Sequence, residues 1–310
     1  MINFLYVLDK NYNLPMLSSI ISLLENIHSD ISIYVIHKDP SSFIYKDLLH
    51  KYKNLKELNI YQFDVALSKF HFISSKFHRD QHYSEATYYK IFLSDYLPED
   101  IEKIVYIDPD VICINNPLNL IKKQFNDMGE KNILGASTHA YKDKSNLELF
   151  ERLSIDSKYF NAGVLFINLK NWREKNITSK LLDFYDKNYK KIVWADQDLL
   201  NAYFNGKYYE ISNSLNYPIS SENQKKLEKE KVLKESSLLH FIGKDKPWKI
   251  KGILRLNNYY KIYQDNFKFL KINKAHLEVD NYFYDLILII KSNLKIKEKF
   301  SLIYCLFNRI

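Results

Sequence analysis

From Ile2 to Leu8 the chain is almost continuously apolar, the pattern of a strand covered on both faces of a sheet. Pro15 then opens a segment in which Met16, Leu17, Ile20, Ile21, Leu24 and Ile27 fall on one helical face. Ile31 to Ile36 repeats the strand pattern. A helical stretch follows around Phe43 to Tyr52, a third strand is expected near Leu58 to Phe63, and Glu85 to Leu97 predicts another helix. Ile104 to Ile107 is again strand-like and stops abruptly at Asp108. Strands and helices alternating in this way predict an α/β protein, with a Rossmann-like, mostly parallel central sheet flanked by helices.

With 310 residues, 46% hydrophobic and 26% charged, the chain suffices for one catalytic domain and an appendage, and neither a disordered nor a fibrous class fits. The net charge of +8 points to an anionic partner. Outside the C-terminal tail, lysines are interleaved with acids, which argues against a nucleic-acid face. Cys113 and Cys305 show neither metal-type spacing nor a disulfide framework, so a reducing cytoplasm is expected. The first apolar run breaks at Asp9 and reads as a strand, not a signal peptide. No run of about twenty apolar residues predicts a spanning helix.

Candidate chemistry gathers where strands end. In open α/β sheets ligands collect beyond the carboxyl ends of strands, and Asp9 and Asp108 both stand there. Asp108-Pro109-Asp110 spaces two carboxylates so that one turn can bind one divalent cation, to which a sugar-nucleotide diphosphate adds oxygens. Asp196-Gln197-Asp198 repeats the spacing at the opening of an apolar helix, and Asn161 precedes an apolar strand. Taken singly, Asn161 and Asp196 also suit turn and helix-cap roles. His240 to Trp248 offers a histidine, a glycine open to close approach, lysines for phosphate and a Pro-Trp stop. Two aspartates, an imidazole and diphosphate oxygens suit Mn²⁺ or Mg²⁺, with manganese accepting the imidazole more readily.

The ordered set Asp9-Lys10-Asn11-Tyr12, Tyr106-Ile107-Asp108-Pro109-Asp110, Phe160-Asn161-Ala162-Gly163-Val164, Asp196-Gln197-Asp198 and His240 through Trp248 resembles glycosyltransferase family 8, with bacterial lipooligosaccharide galactosyltransferases and glucosyltransferases nearest in pattern. The resemblance runs from about residue 1 to about residue 260. It implies a GT-A fold, a UDP-hexose donor (galactose or glucose), Mn²⁺, and transfer with retention to an oligosaccharide or glycolipid acceptor. Position by position, Asp108, Asp110 and His240 would hold the metal, and Gly243 and Lys246 would contact the diphosphate. Asp9, Asn11 and Tyr12 would meet the uridine, with Tyr12 stacked on uracil. Pro109 belongs to the same donor-binding turn. Asn161, Asp196 and Gln197 would line the donor hexose and carry catalysis, Gln197 facing the anomeric carbon from the acceptor side. His82 and Tyr83 would shape the acceptor side. An amide is a poor nucleophile, so a front-face substitution is expected, with a covalent intermediate on Asp196 as the alternative. Lys90, also expected to bind the donor, stands where relatives commonly carry arginine, a change that keeps charge but loses the planar fork, so its contacts to the donor sugar or neighbouring carboxylates should differ. Rival readings are a silent nucleotide- or glycan-binding member of the fold and a metal hydrolase of UDP-sugars.

The catalytic domain is expected over residues 1–265 and a helical extension over 266–310. In the extension, Lys291, Lys295, Lys297, Lys299 and Arg309 face the single acid Glu298 beyond residue 290. Ile296, Phe300, Ile303, Phe307 and Ile310 recur at helical steps, which describes a basic amphipathic helix lying on an anionic membrane or docked on the core. A peripheral position at the inner face of the membrane follows from the first reading. Ser220 to Ser237, rich in Glu and Lys, is expected to be a solvated helix or loop, or a flap beside an acceptor groove.

Overall fold

A computed structural model describes residues 1–64, 84–256, 259–266 and 282–307. His82, Tyr83, Arg309 and Ile310 lie outside the described residues. In chain order the strands are Ile2–Leu8 (β1), Ile31–His37 (β2), Leu55–Gln62 (β3), Lys103–Ile107 (β4), Val111–Cys113 (β5), Leu134–Tyr141 (β6), Lys158–Asn168 (β7), Tyr209–Glu210 (β8), Tyr217–Ile219 (β9) and Leu238–Phe241 (β10). The main sheet has the order β3-β2-β1-β4-β7-β6-β8. Its pairs are parallel except those of β7 with β4 and β6. β1 pairs with β2 from Ile2 opposite Ile31 to Leu8 opposite His37. All of β2 is buried, which is why its apolar run does not alternate. A smaller sheet, β5-β10-β9, stands beside it.

Helix α1, Asn13–Asn26, shows how the two sheets are joined. Its apolar face buries Met16, Leu17, Ile20, Ile21 and Leu24, as the periodicity predicts, but Ser18, Ser19 and Ser22 on the other side are buried too. Buried hydroxyls need partners. Ser19 Oγ lies 2.9 Å from Tyr6 Oη on β1, while Ser22 Oγ accepts the Cys113 N–H at 2.9 Å on β5. The helix thus ties β1, the neighbour of β4 in the main sheet, to β5 of the small sheet.

Local structure departs from the expected elements in three places. The helix expected over Phe43–Tyr52 contracts to Lys46–Leu49, behind a 3₁₀ turn begun by Pro40. β3 starts at Leu55, ahead of Leu58. Glu85–Phe92 is a 3₁₀ helix, capped by Ser84 Oγ accepting the Ala86 N–H, and only Leu93–Tyr96 is α-helical. Residues three apart eclipse in a 3₁₀ helix, so Thr87 and Lys90 share one face.

The other helices used below are α2 (Ala195–Phe204), α3 (Ile250–Arg255), α4 (Tyr282–Lys291) and α5 (Ile296–Phe307). Leu302 and Leu306 of α5 and Ile289 of α4 are buried in the core beneath α1 and the small sheet. Ile296, Phe300 and Tyr304 form an opposite stripe, 74%, 68% and 68% exposed. The tail helix is therefore docked through leucines while part of the apolar set expected from its periodicity faces solvent. No helix among the described residues is long and apolar enough to cross a membrane.

Candidate metal and donor site

Asp108 closes β4 and Asp110 opens β5, so the chain turns between them with Val111 N–H donating to the Asp108 carbonyl at 3.1 Å. His240 comes from β10, where antiparallel pairing sets it opposite Val111. Metal-ligand atoms of Asp108, Asp110 and His240 all lie within 4.8 Å of one another. His240 Nε2 is 3.3 Å from Asp110 Oδ1 and 3.8 Å from Asp108 Oδ2. Its other nitrogen, Nδ1, is 2.9 Å from Asn216 Oδ1, and Asn216 Nδ2 donates to Asn161 Oδ1 at 2.9 Å. That amide orientation follows from the network, and it puts the imidazole proton on Nδ1. Nε2 then faces two carboxylates, offering a proton to Asp110 when the ring is protonated and a lone pair when a cation lies among them. The donor set fits a divalent cation, and the Asn216 contact supplies the outer support that metal-binding histidines require.

Gly163 makes this placement sterically possible. A Cβ there would stand 2.1 Å from His240 Cε1 and 2.5 Å from Nδ1, so no other residue type leaves room for the ring. Asp110 is buried with its carboxylate paired to Lys246, whose Nζ also donates to the Phe241 carbonyl at 2.7 Å. Burial alone would raise the Asp110 pKa, but Lys246 and His240 overrule it and hold the carboxyl far below its ordinary range. Lys246, assigned to the diphosphate, thus sits on the second metal-ligand candidate. Gly243 in the same loop adopts φ +79°, the left-handed region glycine tolerates.

A second cluster adjoins the first. Lys90, fully sequestered, places Nζ 2.8 Å from Asp196 Oδ2, 3.4 Å from Asp108 Oδ1 and 3.3 Å from the Ala162 carbonyl, above the Tyr106 ring. Burial would lower the lysine pKa, yet Asp108 and Asp196 together raise it above its ordinary value, so Lys90 is a permanent cation. Burial pushes the Asp196 carboxyl up, against Lys90 and Thr87. Tyr106 donates its hydroxyl to Asp108 Oδ1, and burial foremost keeps that phenol protonated. Lys90 therefore bridges two carboxylates with a point charge and not with a bidentate fork.

The Asp196-Gln197-Asp198 segment separates into different jobs. Asp198 is completely buried and accepts from Arg152 Nη1, Tyr159 Oη and the Val193 and Trp194 N–H groups, each at 2.8 Å. It holds the entry to α2, where Ala195 adopts φ +46°, a strained value that costs of order 1–3 kcal/mol. Gln197 Oε1 accepts the Ala162 N–H at 3.0 Å while Nε2 donates to Tyr159 Oη at 2.9 Å. The second D-x-D thus contributes one carboxylate to the site and one to the scaffold. Asn161 lies within β7, not ahead of it, and accepts from Asn216 and from Gly163 N–H at 2.9 Å.

Asp9, Asn11 and Tyr12 form a neighbouring group at the end of β1. Asp9 Oδ1 accepts the Asn11 N–H at 2.9 Å, and its Oδ2 accepts the hydroxyl of Ser84, the residue that starts the 3₁₀ helix carrying Lys90. Tyr12 packs edge-on to Trp248, ring centroids 5.9 Å apart. Pro109 is buried inside the aspartate turn. Nothing in the sequence singles out Asn216, Ser84 or Arg152. Each is a common polar residue in a connection or on a helix surface, and nothing local marks it.

The protein matches known chains over nearly the whole of this architecture. It is 27% identical over 276 residues to a lipopolysaccharide 1,2-glucosyltransferase of Escherichia coli K12, covering 86% of this chain and 78% of the relative. It is 26% identical over 188 residues to a lipopolysaccharide 1,3-galactosyltransferase of Salmonella typhimurium, covering 58% and 54%. Among solved structures, galactosyltransferase LgtC in complex with donor and acceptor sugar analogues superposes with a TM-score of 0.67 at 20% identity, over 86% of this chain and 95% of that one. The fold is accordingly GT-A, as the resemblance implied. The family model for glycosyl transferase family 8 matches residues 3–252, and the chain belongs to that family.

Proposed function

We propose that this protein is a retaining hexosyltransferase that moves galactose or glucose from a UDP-sugar to a saccharide acceptor of a cell-surface glycan, with Mn²⁺ as the preferred cation. The observation that carries this reading is the convergence of Asp108, Asp110 and His240 backed by the buried Lys90–Asp196 pair. The lipopolysaccharide glucosyl- and galactosyltransferases among the relatives support the hexose class and leave both donors open.

Asp108, Asp110 and His240 would hold the cation, which supplies positive charge to the diphosphate as the sugar departs. Lys246 and the backbone at Gly243 serve the same phosphates. Asp9, Asn11 and Tyr12 take the uridine. Asp196 and Asn161 take donor hydroxyls. Both ends of the Gln197 amide are fixed, by Ala162 N–H and Tyr159 Oη, so the side chain presents a preorganised dipole and not a nucleophile. Asp196, buried against Lys90, is likewise unsuited to covalent attack. This favours front-face substitution: the acceptor hydroxyl forms the new bond to the anomeric carbon on the face UDP leaves, the old C–O bond breaks with its electrons going to UDP, and a β-phosphate oxygen receives the hydroxyl proton.

The Ile296–Phe300–Tyr304 stripe, flanked by Lys295, Lys297 and Lys299, supports peripheral attachment to the anionic inner face of a membrane. Co-sedimentation with phosphatidylglycerol vesicles, lost in Phe300→Glu, is the expected behaviour, and equal binding by both proteins contradicts it. The reaction itself is tested by incubating UDP-sugars with saccharide acceptors and reading the product anomer by NMR. One UDP-hexose should be consumed, with metal, giving the α-linkage of the donor. An inverted product, or UDP-sugar cleavage at equal rates with and without acceptor, overturns the proposal.

A further inference from the structure

Strands β9 and β10 run in parallel, with Ile219 beside Phe241, and Ile242 N–H donates to the Ile219 carbonyl at 3.0 Å. The segments leaving these strands, from Ser220 and from Ile242, therefore emerge side by side at one end of the small sheet, and the second is the loop that carries Gly243 and Lys246. A cavity of about 690 Å³ opens along the first, lined by Ser221, Gln224, Lys225, Leu227, Leu254 and Arg255. That is the size range of small-molecule sites. Both charged residues in the lining are cationic.

Gln224 makes the cavity more than a surface dip. It is 6% exposed and lines the space, and its backbone N–H and carbonyl are bonded to Ser220 and Leu227, which fixes the residue in the cavity wall. A side-chain amide in a cavity wall offers both donors and an acceptor to whatever fills the space. Arg255 is half exposed and holds the buried Asp245 at 3.2 Å through Nη1. Asp245 lies between Lys244 and Lys246, and Lys246 pairs with Asp110. The cavity and the metal cluster thus share one loop.

We infer that this cavity binds an anionic group, phosphate or carboxylate, carried by the acceptor saccharide, so that the acceptor is an acidic glycan. Lys225 and the free edge of Arg255 take the charge, the Gln224 amide and Ser221 hydroxyl take saccharide or phosphate oxygens, and Leu227 and Leu254 meet the sugar's C–H surface. The anion preference stands on the lining alone, while the identity of its carrier as the acceptor rests on the transfer reaction proposed above.

Two measurements keep these apart. In the first, glucose 6-phosphate and glucose are titrated by NMR into the full chain carrying Asp110→Ala, in chelator. Saturable binding of the phosphate sugar alone, weakened about tenfold by Lys225→Gln and also by Gln224→Leu, is expected. Lys225 is exposed, so its substitution leaves the fold intact, whereas Arg255 is avoided because its loss strands Asp245. In the second, the active enzyme should show a lower KM for a phosphorylated or carboxylated acceptor than for its neutral counterpart. Lys225→Gln should raise the former about tenfold and leave the KM for UDP-sugar unchanged. Binding equal for both sugars, or insensitive to Lys225→Gln, overturns the cavity assignment. Equal KM values for acidic and neutral acceptors, with phosphatidylglycerol vesicles competing for the cavity, overturn the acceptor role in favour of a lipid headgroup. Intact Lys225-dependent binding without any turnover supports the anion site and counts against the transferase reading only.

Discussion

Asn216 Oδ1 lies 2.9 Å from His240 Nδ1, and the same amide donates to Asn161 Oδ1, so a residue outside the ligand set decides which histidine nitrogen faces the aspartates. Outer partners of metal-bound histidines typically contribute 10- to 100-fold in metal affinity. Asn216→Ala should therefore weaken Mn²⁺ binding, read by calorimetry, by about that factor, while Asn216→Asp, which keeps an acceptor toward Nδ1, loses less. Unchanged affinity in Asn216→Ala would show that the ring is oriented by other means.

Gly163→Ala should be more damaging than its size suggests. The added methyl overlaps the His240 ring, which is walled by β5 and β9, so either the imidazole leaves its position or β7 shifts. Overpacking of this kind costs about 1–3 kcal/mol. The expected result is a lower melting temperature together with a loss of metal affinity of at least about tenfold, and a variant with wild-type affinity contradicts the steric account.

Asp198 and Asp110 should separate cleanly on substitution. Asp198→Ala removes the acceptor of four donors around a fully buried carboxylate, so a loss of about 3–5 kcal/mol is expected from denaturant unfolding. In the fraction that remains folded, metal affinity should match the wild type. A fall in metal affinity with stability unchanged would make the second D-x-D a metal site, contrary to its geometry.

His37, at the end of β2, gives the stability of the fold a defined dependence on pH. It is buried, with Nε2 2.7 Å from Asn13 Oδ1 and Nδ1 accepting the Asp39 N–H at 2.8 Å, so both nitrogens are committed in the neutral form. Burial lowers its pKa from 6.5, against the opposing charges of Asp39 and Asp9. Below about pH 6.5 the unfolded chain binds a proton that the folded chain resists, so stability must fall as pH drops from that point toward the lower folded value. Melting temperatures between pH 7.5 and pH 5.5 should decline, and His37→Gln should remove part of the decline. An equal slope in the variant rejects His37 as a contributor.

What the sequence reveals and what it hides follow from the range of the interactions involved. β1, β2 and the face of α1 are legible because burial writes continuous or periodic apolar patterns, and Asp108 is legible because it ends such a run. The 3₁₀ geometry of Glu85–Phe92 is not, since the spacing of Ala86, Tyr89 and Phe92 suits an α-helix nearly as well. Asn216 and Gly163 act through His240, and their roles exist only once β7, β9 and β10 are brought together. Asp196 and Asp198 share a motif but diverge because one side of α2 faces Lys90 and the other Arg152. In the tail, α5 is apolar around much of its circumference, and only packing shows that Leu302 and Leu306 turn inward while Ile296 and Phe300 do not.

The central claim is that Asp108, Asp110 and His240 together hold a divalent cation on which turnover of a UDP-hexose depends. UDP release should be followed across a Mn²⁺ titration for the natural chain, Asp110→Ala and His240→Ala, with chelator as the zero point. Saturable metal dependence in the natural chain, with release falling about a hundredfold or more in both variants while they remain folded, is the predicted result. Release that persists undiminished in chelator, or in folded Asp110→Ala, contradicts the account.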